Sequence, residues 1–274
     1  MKNKTPDFAY HMTKFFTEYL PIQRNLSPNS IATYRDTFRL LLLFYDTEKH
    51  IKPNLLTLDM LNVQQIEDFM LWLKKERNCG ASTCNQRLGA LKSFFRYLQF
   101  ALPDCALQCQ ENLAIRPMKQ PEPGLKYLTI DGIKLLLEQP DIKTKYGRRD
   151  LAILSLMYDT GARVQEIADI KIVHIRFSAP ATIRITGKGD KTRVVPLLSR
   201  TEDILKQYIK DFKIDAGGND AYLFQNRSGQ QLSRFGISYI LTKYADMARK
   251  VHPELIPERL SPHCIRHSKA MHLL

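Results

Sequence analysis

Residues 181–197 read ATIRITGKGDKTRVVPL, and here the apolar pattern leaves the helical period. Ile183 and Ile185 alternate with polar neighbours before the Gly187–Asp190 turn, and Val194, Val195 and Leu197 follow it. That pattern predicts two antiparallel strands joined by a tight glycine-containing turn. On either side the apolar residues recur every three or four positions. The expected class is therefore mainly α with a small antiparallel β-hairpin, an α+β chain.

Working back from the hairpin, Leu151, Ile153, Leu154, Leu156 and Met157 mark a strongly apolar helix, and Thr129 caps one before it. Earlier still lies RPMKQPEPG, residues 116–124, whose three prolines and glycine favour an extended segment. We therefore expect a helical domain over 1–118, a linker over 119–124 and a second domain over 125–274. In the first domain Phe8, Met12, Phe15 and Tyr19 sit at helical spacing, and Ser27-Pro28 supplies an N-cap with proline at the first helical position. Asn62 opens a third helix and Ser82 a fourth, giving a four-helix bundle. The fourth carries Asn85, Arg87, Lys92 and Arg96 on its polar side, which reads equally as a solvated face or as one that meets DNA. Beyond the hairpin, helices are expected over 199–213, 233–250 and 262–274.

Composition narrows the function. Forty-one Lys and Arg against 28 Asp and Glu give a net charge of +13, with a pI near 9.5, so a polyanion is the leading partner. The excess is uneven: residues 1–118 hold 15 basic and 11 acidic side chains, and residues 119–274 hold 26 and 17. No run approaches the roughly 18 apolar residues of a membrane span. The start, MKNKTPDFAYHM, lacks the apolar core of a signal peptide. Five cysteines without a framework spacing fit a reducing cytoplasm.

Three basic centres carry chemistry. In TGARVQEIADI, residues 160–170, Thr160-Gly161 breaks one helix and Arg163 starts the next, with Glu166 three positions on. Alone, that is an ordinary i,i+3 ion pair worth a few tenths of a kcal/mol. In GKGDKTR, Lys188 sits between two glycines at the hairpin tip, with Lys191 and Arg193 behind it as candidate DNA-binding residues; alone, that is a charged turn. No GxxxxGK[ST] pattern is present, so a phosphate-binding P-loop is excluded. In His263-x-x-Arg266-His267 the two histidines are i,i+4, but no acidic residue or third ligand accompanies them, so no metal and no other cofactor is expected.

In this order, the three segments TGARVQEIADI, GKGDKTRVVPL and SPHCIRHSKAMHLL resemble the boxes of the tyrosine recombinases, also called phage integrases or Xer-like recombinases. The resemblance covers most of the chain, since the helical N-terminal part is similar to the family's core-binding, SAM-like domain. It implies clamping of duplex DNA between two domains, site-specific strand cleavage and rejoining through a 3′-phosphotyrosine, and a synaptic tetramer in the full-length form. By resemblance, Arg163 and Arg266 clamp the scissile phosphate, His263 supports them, Lys188 is the general acid and Glu166 orients Arg163. The chemistry suits the residue types, because guanidiniums neutralise non-bridging oxygens bidentately and an ammonium protonates a leaving oxygen.

The family's nucleophilic tyrosine follows its His-x-x-Arg box, whereas all twelve tyrosines here precede Arg266. Tyr239 and Tyr244 read as core residues. The expectation is a shortened recombinase, monomeric as it stands, that binds DNA without cleaving it. The apolar run of SKAMHLL, residues 268–274, supports that reading, since a missing segment would cover it. The alternative is a non-catalytic DNA-binding protein that occupies recombination sites.

Overall fold

Ser27, Asn62, Thr129, Thr144 and Ser233 each accept, through a side-chain oxygen, the backbone N–H three residues ahead, and a helix starts after every one of them. Each such cap satisfies a donor that the first helical turn leaves open and is worth about 1 kcal/mol. The computed structural model describes residues 7–120, 127–187, 189–214, 218 and 220–274. The chain divides into two units, Met1–Glu122 and Pro123–Leu274, each with its own hydrophobic core. Most of the expected linker, from Pro121 onward, lies outside the described residues.

The first unit runs α1 (Phe8–Lys14), a π-helix over Phe15–Gln23, α2 (Pro28–Glu48), α3 (Val63–Lys75), α4 (Ala81–Ala101) and α5 (Ala106–Ala114). The π-helix has a local cause. Pro21 has no N–H, and in an α-helix its ring would press on the carbonyl four residues back. Widening the turn relieves the clash, and Arg24 N–H then bonds the Tyr19 carbonyl five residues back at 2.9 Å. The core is aromatic: Phe94 packs against Phe15, Phe38 and Phe8 at ring-centroid distances of 5.1, 5.2 and 5.9 Å.

Two expectations for this unit need correction. Helix α4 begins at Ala81 behind Gly80, whose carbonyl accepts Cys84 N–H at 3.0 Å, so Ser82 lies inside the helix rather than capping it. A fifth helix, α5, is added to the four. It is tied in by fully buried Asn112, whose amide donates to the carbonyls of Leu61 at 2.8 Å and Gln108 at 2.9 Å. Besides its two terminal alanines, only Leu107, Cys109 and Leu113 are apolar in this segment, too few to set a helical period.

The second unit runs α6 (Ile130–Glu138), α7 (Lys145–Thr160), α8 (Val164–Ala168), β1 (Ile175–Arg176), β2 (Thr182–Thr186), β3 (Thr192–Pro196), α9 (Ser199–Phe212), α10 (Arg234–Val251) and α11 (Pro262–Met271). The hairpin is present, with Ile183 facing Val195 and Ile185 facing Arg193. It is joined by a third antiparallel strand, β1, too short to have left a period in the sequence. Ile183 and Ile185 turn inward onto a core shared with α7, α9 and α10. Helix α11 ends at Met271, three residues before the expected limit. Tyr244 is buried, but Tyr239 is 71% exposed, a correction to its expected place in the core. No helix among the described residues is long and apolar enough to cross a membrane.

Phe94 is the keystone of the first core, so Phe94→Ala should lower the stability of that unit by about 3–5 kcal/mol. Urea unfolding followed by aromatic fluorescence or circular dichroism checks this. A loss below about 1 kcal/mol would show that the cluster repacks around the cavity.

Candidate functional site

Helix α7 stops at Gly161, which adopts the left-handed conformation at φ 56°, and α8 starts three residues later. That break presents Arg163 as the N-cap of α8, with Glu166 at the third helical position. Glu166 reaches back to its own cap: Arg163 N–H donates to Oε2 at 2.9 Å and Arg163 Nη1 donates to Oε1 at 2.8 Å. A second arginine arrives from β3, with Arg193 Nη2 donating to Oε2 at 2.6 Å. The Glu166 side chain is 5% exposed, while Arg163 is 50% and Arg193 36% exposed. Burial pushes the Glu166 carboxyl up, but donation from Arg193 and from the backbone and side chain of Arg163 outweighs it. The net result is a pKa lowered to about 2.

The hairpin turn closes on the same carboxylate. Gly187 N–H bonds the Lys191 carbonyl at 2.9 Å, and a Cβ on Gly187 would lie 2.7 Å from Glu166 Oε1. Only a glycine fits there without displacing the carboxylate. Lys188, the expected general acid, lies outside the described residues.

From the C-terminal side, α11 brings Arg266 to the same turn. Arg266 Nη1 donates to the Gly161 carbonyl at 2.7 Å, two residues before Arg163. The helix is held in place at several points. Ser268 Oγ accepts Leu128 N–H at 2.8 Å, Lys269 lies 3.8 Å from Asp159, and His272 Nδ1 and the Tyr158 hydroxyl are 2.9 Å apart. Asp159 in turn accepts Leu198 N–H at 2.9 Å, which ties the start of α9 to the end of α7. His263, one turn before Arg266, is exposed, as is His267.

Arg163 and Arg266 are thus anchored alike. Each is fixed through Nη1, and neither has another side-chain hydrogen bond among the described residues. Both half-anchored guanidiniums belong to side chains fixed at the turn between α7 and α8. Resemblance groups Arg163, Glu166 and Arg266 in one site and the sequence marks Gly161 as a helix break, but neither shows that the Gly161 carbonyl accepts Arg266 or that Gly187 and Arg193 pack on Glu166. The available signal was the strand alternation, which puts Arg193 on the same side of β3 as Val195.

The candidates on α4 are engaged differently. Asn85 exchanges two hydrogen bonds with Met118, both at 2.8 Å, and Lys92 Nζ donates to the Ile115 carbonyl at 2.6 Å. Arg87 Nη1 approaches Cys79 Sγ at 3.1 Å, and Arg96 is exposed. Asn85 and Lys92 therefore pin the segment after α5, while Lys191 on the hairpin is exposed.

A depressed carboxylate pKa means stability that is present above the unfolded value and lost as pH falls toward the folded one. For Glu166 the window is from the usual 4.5 down to about 2. The shift corresponds to about 3 kcal/mol at neutral pH, of which about 2 kcal/mol is gone by pH 3. Glu166→Gln should lose this contribution at pH 7, and its stability should fall less steeply than that of the native chain between pH 5 and pH 3. Urea midpoints across that range decide it, and parallel pH profiles for the two proteins would contradict the assignment.

Comparisons with known proteins bear on the family and the fold. Residues 126–274 match the phage integrase family, and residues 14–100 match the phage integrase N-terminal SAM-like domain. The tyrosine recombinase XerD of Listeria innocua is 31% identical over 265 residues, covering 94% of this chain and 83% of that protein. The tyrosine recombinase XerC of Bacillus pumilus is 30% identical over 270 residues, covering 96% and 83%. The crystal structure of the XerH site-specific recombinase bound to palindromic difH substrate, a post-cleavage complex, shares the fold. Its TM-score is 0.72 at 20% identity, over 100% of this chain and 80% of that one. With both of its units matched in order, the chain belongs to the phage integrase family, the tyrosine recombinases of site-specific DNA recombination.

Proposed function

We propose that the second unit receives a phosphodiester of duplex DNA between Arg163 and Arg266, in the chemistry of strand cleavage and rejoining. The observation that carries this reading is the matched anchoring of the two arginines, each held by one nitrogen with the rest of its guanidinium open. Attack on a phosphodiester builds negative charge on the non-bridging oxygens, and preorganised guanidiniums stabilise that charge without reorganising at the moment of reaction. Glu166 orients Arg163, and His263, on the turn of α11 that precedes Arg266, donates a further hydrogen bond. Lys188 protonates the leaving 5′ oxygen by analogy with the family's hairpin lysine.

The 274 residues bind and polarise the phosphate without supplying the nucleophile, in this reading. Tyr208 and Tyr244 are buried in the core, and Tyr158 is committed to His272. Exposed Tyr239 lies on α10, not on α11, the helix that bears Arg266. None of the twelve tyrosines follows the His-x-x-Arg box.

Binding should be strongly salt-dependent. Neutralising about six to ten phosphates implies a drop of about 10³–10⁵ in affinity between 50 and 200 mM salt. Filter binding or anisotropy on a duplex gives the slope, and affinity that is absent at low salt or flat with salt would refute the DNA reading. A nicked suicide substrate, which traps a 3′-phosphotyrosine once it forms, should give no covalent adduct with this chain under conditions where binding is saturated. A denaturation-resistant protein–DNA band would show that one of the twelve tyrosines is a nucleophile after all.

A further inference from the structure

Arg193 contacts neither Arg163 nor Arg266 through a hydrogen bond, yet it shares a carboxylate with the first of them. A guanidinium facing a carboxylate frequently forms a two-pronged pair, with both oxygens taken by one arginine. That does not happen at Glu166. Arg163 holds Oε1 through Nη1, while Oε2 is filled by Arg163's own backbone N–H and by Arg193 Nη2. The turn residue Gly187 closes the remaining side, where a Cβ would sit 2.7 Å from Oε1. Arg163 is left with Nε and Nη2 unpartnered among the described residues, and its side chain is half exposed.

We propose that Arg193 is a positioning residue for the phosphate site. By occupying Oε2 it prevents Arg163 from folding onto Glu166 with both prongs, and so keeps the second edge of Arg163 open for an oxyanion. This rests on the phosphate-binding reading given above for Arg163. The cluster of two arginines and one carboxylate keeps a net charge of +1, so Arg163 stays attractive to an anion although it is paired. Removing Arg193 takes away both effects: Oε2 becomes free for Arg163 Nη2, and the cluster becomes neutral. The same link ties the hairpin to the α8 N-cap, because β3 carries Arg193 and the turn carries Gly187.

Nuclear magnetic resonance of the full chain labelled with ¹⁵N-arginine tests this, with Arg163 assigned by the signal lost in Arg163→Lys and inorganic phosphate as the probe. In the native chain the Arg163 guanidinium should exchange rapidly with solvent and shift on adding phosphate. In Arg193→Gln its exchange should slow by about tenfold, as one more charged hydrogen bond implies, and its response to phosphate should weaken by a similar factor. Arg193→Lys should restore both, since an ammonium can still occupy Oε2. Gly187→Ala displaces the carboxylate from the other side and should have the opposite sign, with faster Arg163 exchange, so the proposal does not depend on Arg193→Gln folding. Native-like exchange and phosphate response in Arg193→Gln would overturn the proposal, as would faster exchange there, the mark of simple loosening. If Arg163 in the native chain ignores phosphate but slows in Arg193→Gln, the positioning role stands and the phosphate-binding reading fails.

Discussion

A carboxylate with 5% exposure would be costly to bury if it were unpaired, and Glu166 is buried because three N–H donors converge on it. The rest of the candidate site depends on that convergence. One donor is the backbone at the start of α8, which fixes where the helix begins. One is the Arg163 side chain, and one comes from the hairpin that packs across the break. Loss of any donor leaves a buried charge short of partners, which is why an ion pair at ordinary helical spacing carries far more here than its sequence position suggests.

The second anchor is backbone rather than side chain. Gly161 ends α7 in the left-handed region, where a Cβ is disfavoured, and its carbonyl turns to accept Arg266. Helix α11 therefore reads the end of α7 directly, and Ser268 and Lys269 extend the same register along the helix. Arg266 lies within α11, and Arg163 is fixed at the N-cap of α8 by its own backbone and side-chain bonds to Glu166. The surplus of 26 basic over 17 acidic residues in 119–274 gives this part of the chain a net positive charge, which attracts polyanions at long range.

Much of this was legible in the residues. Periodicity gave most of the helices, because each buries one apolar stripe, and the alternation around Ile183 and Ile185 gave the hairpin. Arg163, Glu166 and Arg266 could be grouped only through resemblance, since nothing in their spacing says that residues 105 positions apart meet at Gly161. What escaped was set by tertiary contact. Helix α5 is held by the amide of Asn112 more than by an apolar stripe, and β1 is two residues long. Asn85 and Lys92 looked like a polar face awaiting a partner, but they bind the carbonyls of Met118 and Ile115. Arg193 reads in the sequence as a DNA-binding candidate on the hairpin, and its link to Glu166 exists only once the hairpin has folded over α8.

The central claim is that Arg163 and Arg266 are two halves of one phosphate clamp. A structure of this chain bound to duplex DNA tests it most directly. The account predicts a single backbone phosphate within hydrogen-bond reach, about 3 Å, of the open edge of both guanidiniums, with Glu166 still shared between Arg163 and Arg193. Phosphates that contact only one of the two arginines, or DNA lying elsewhere on the second unit, would contradict it.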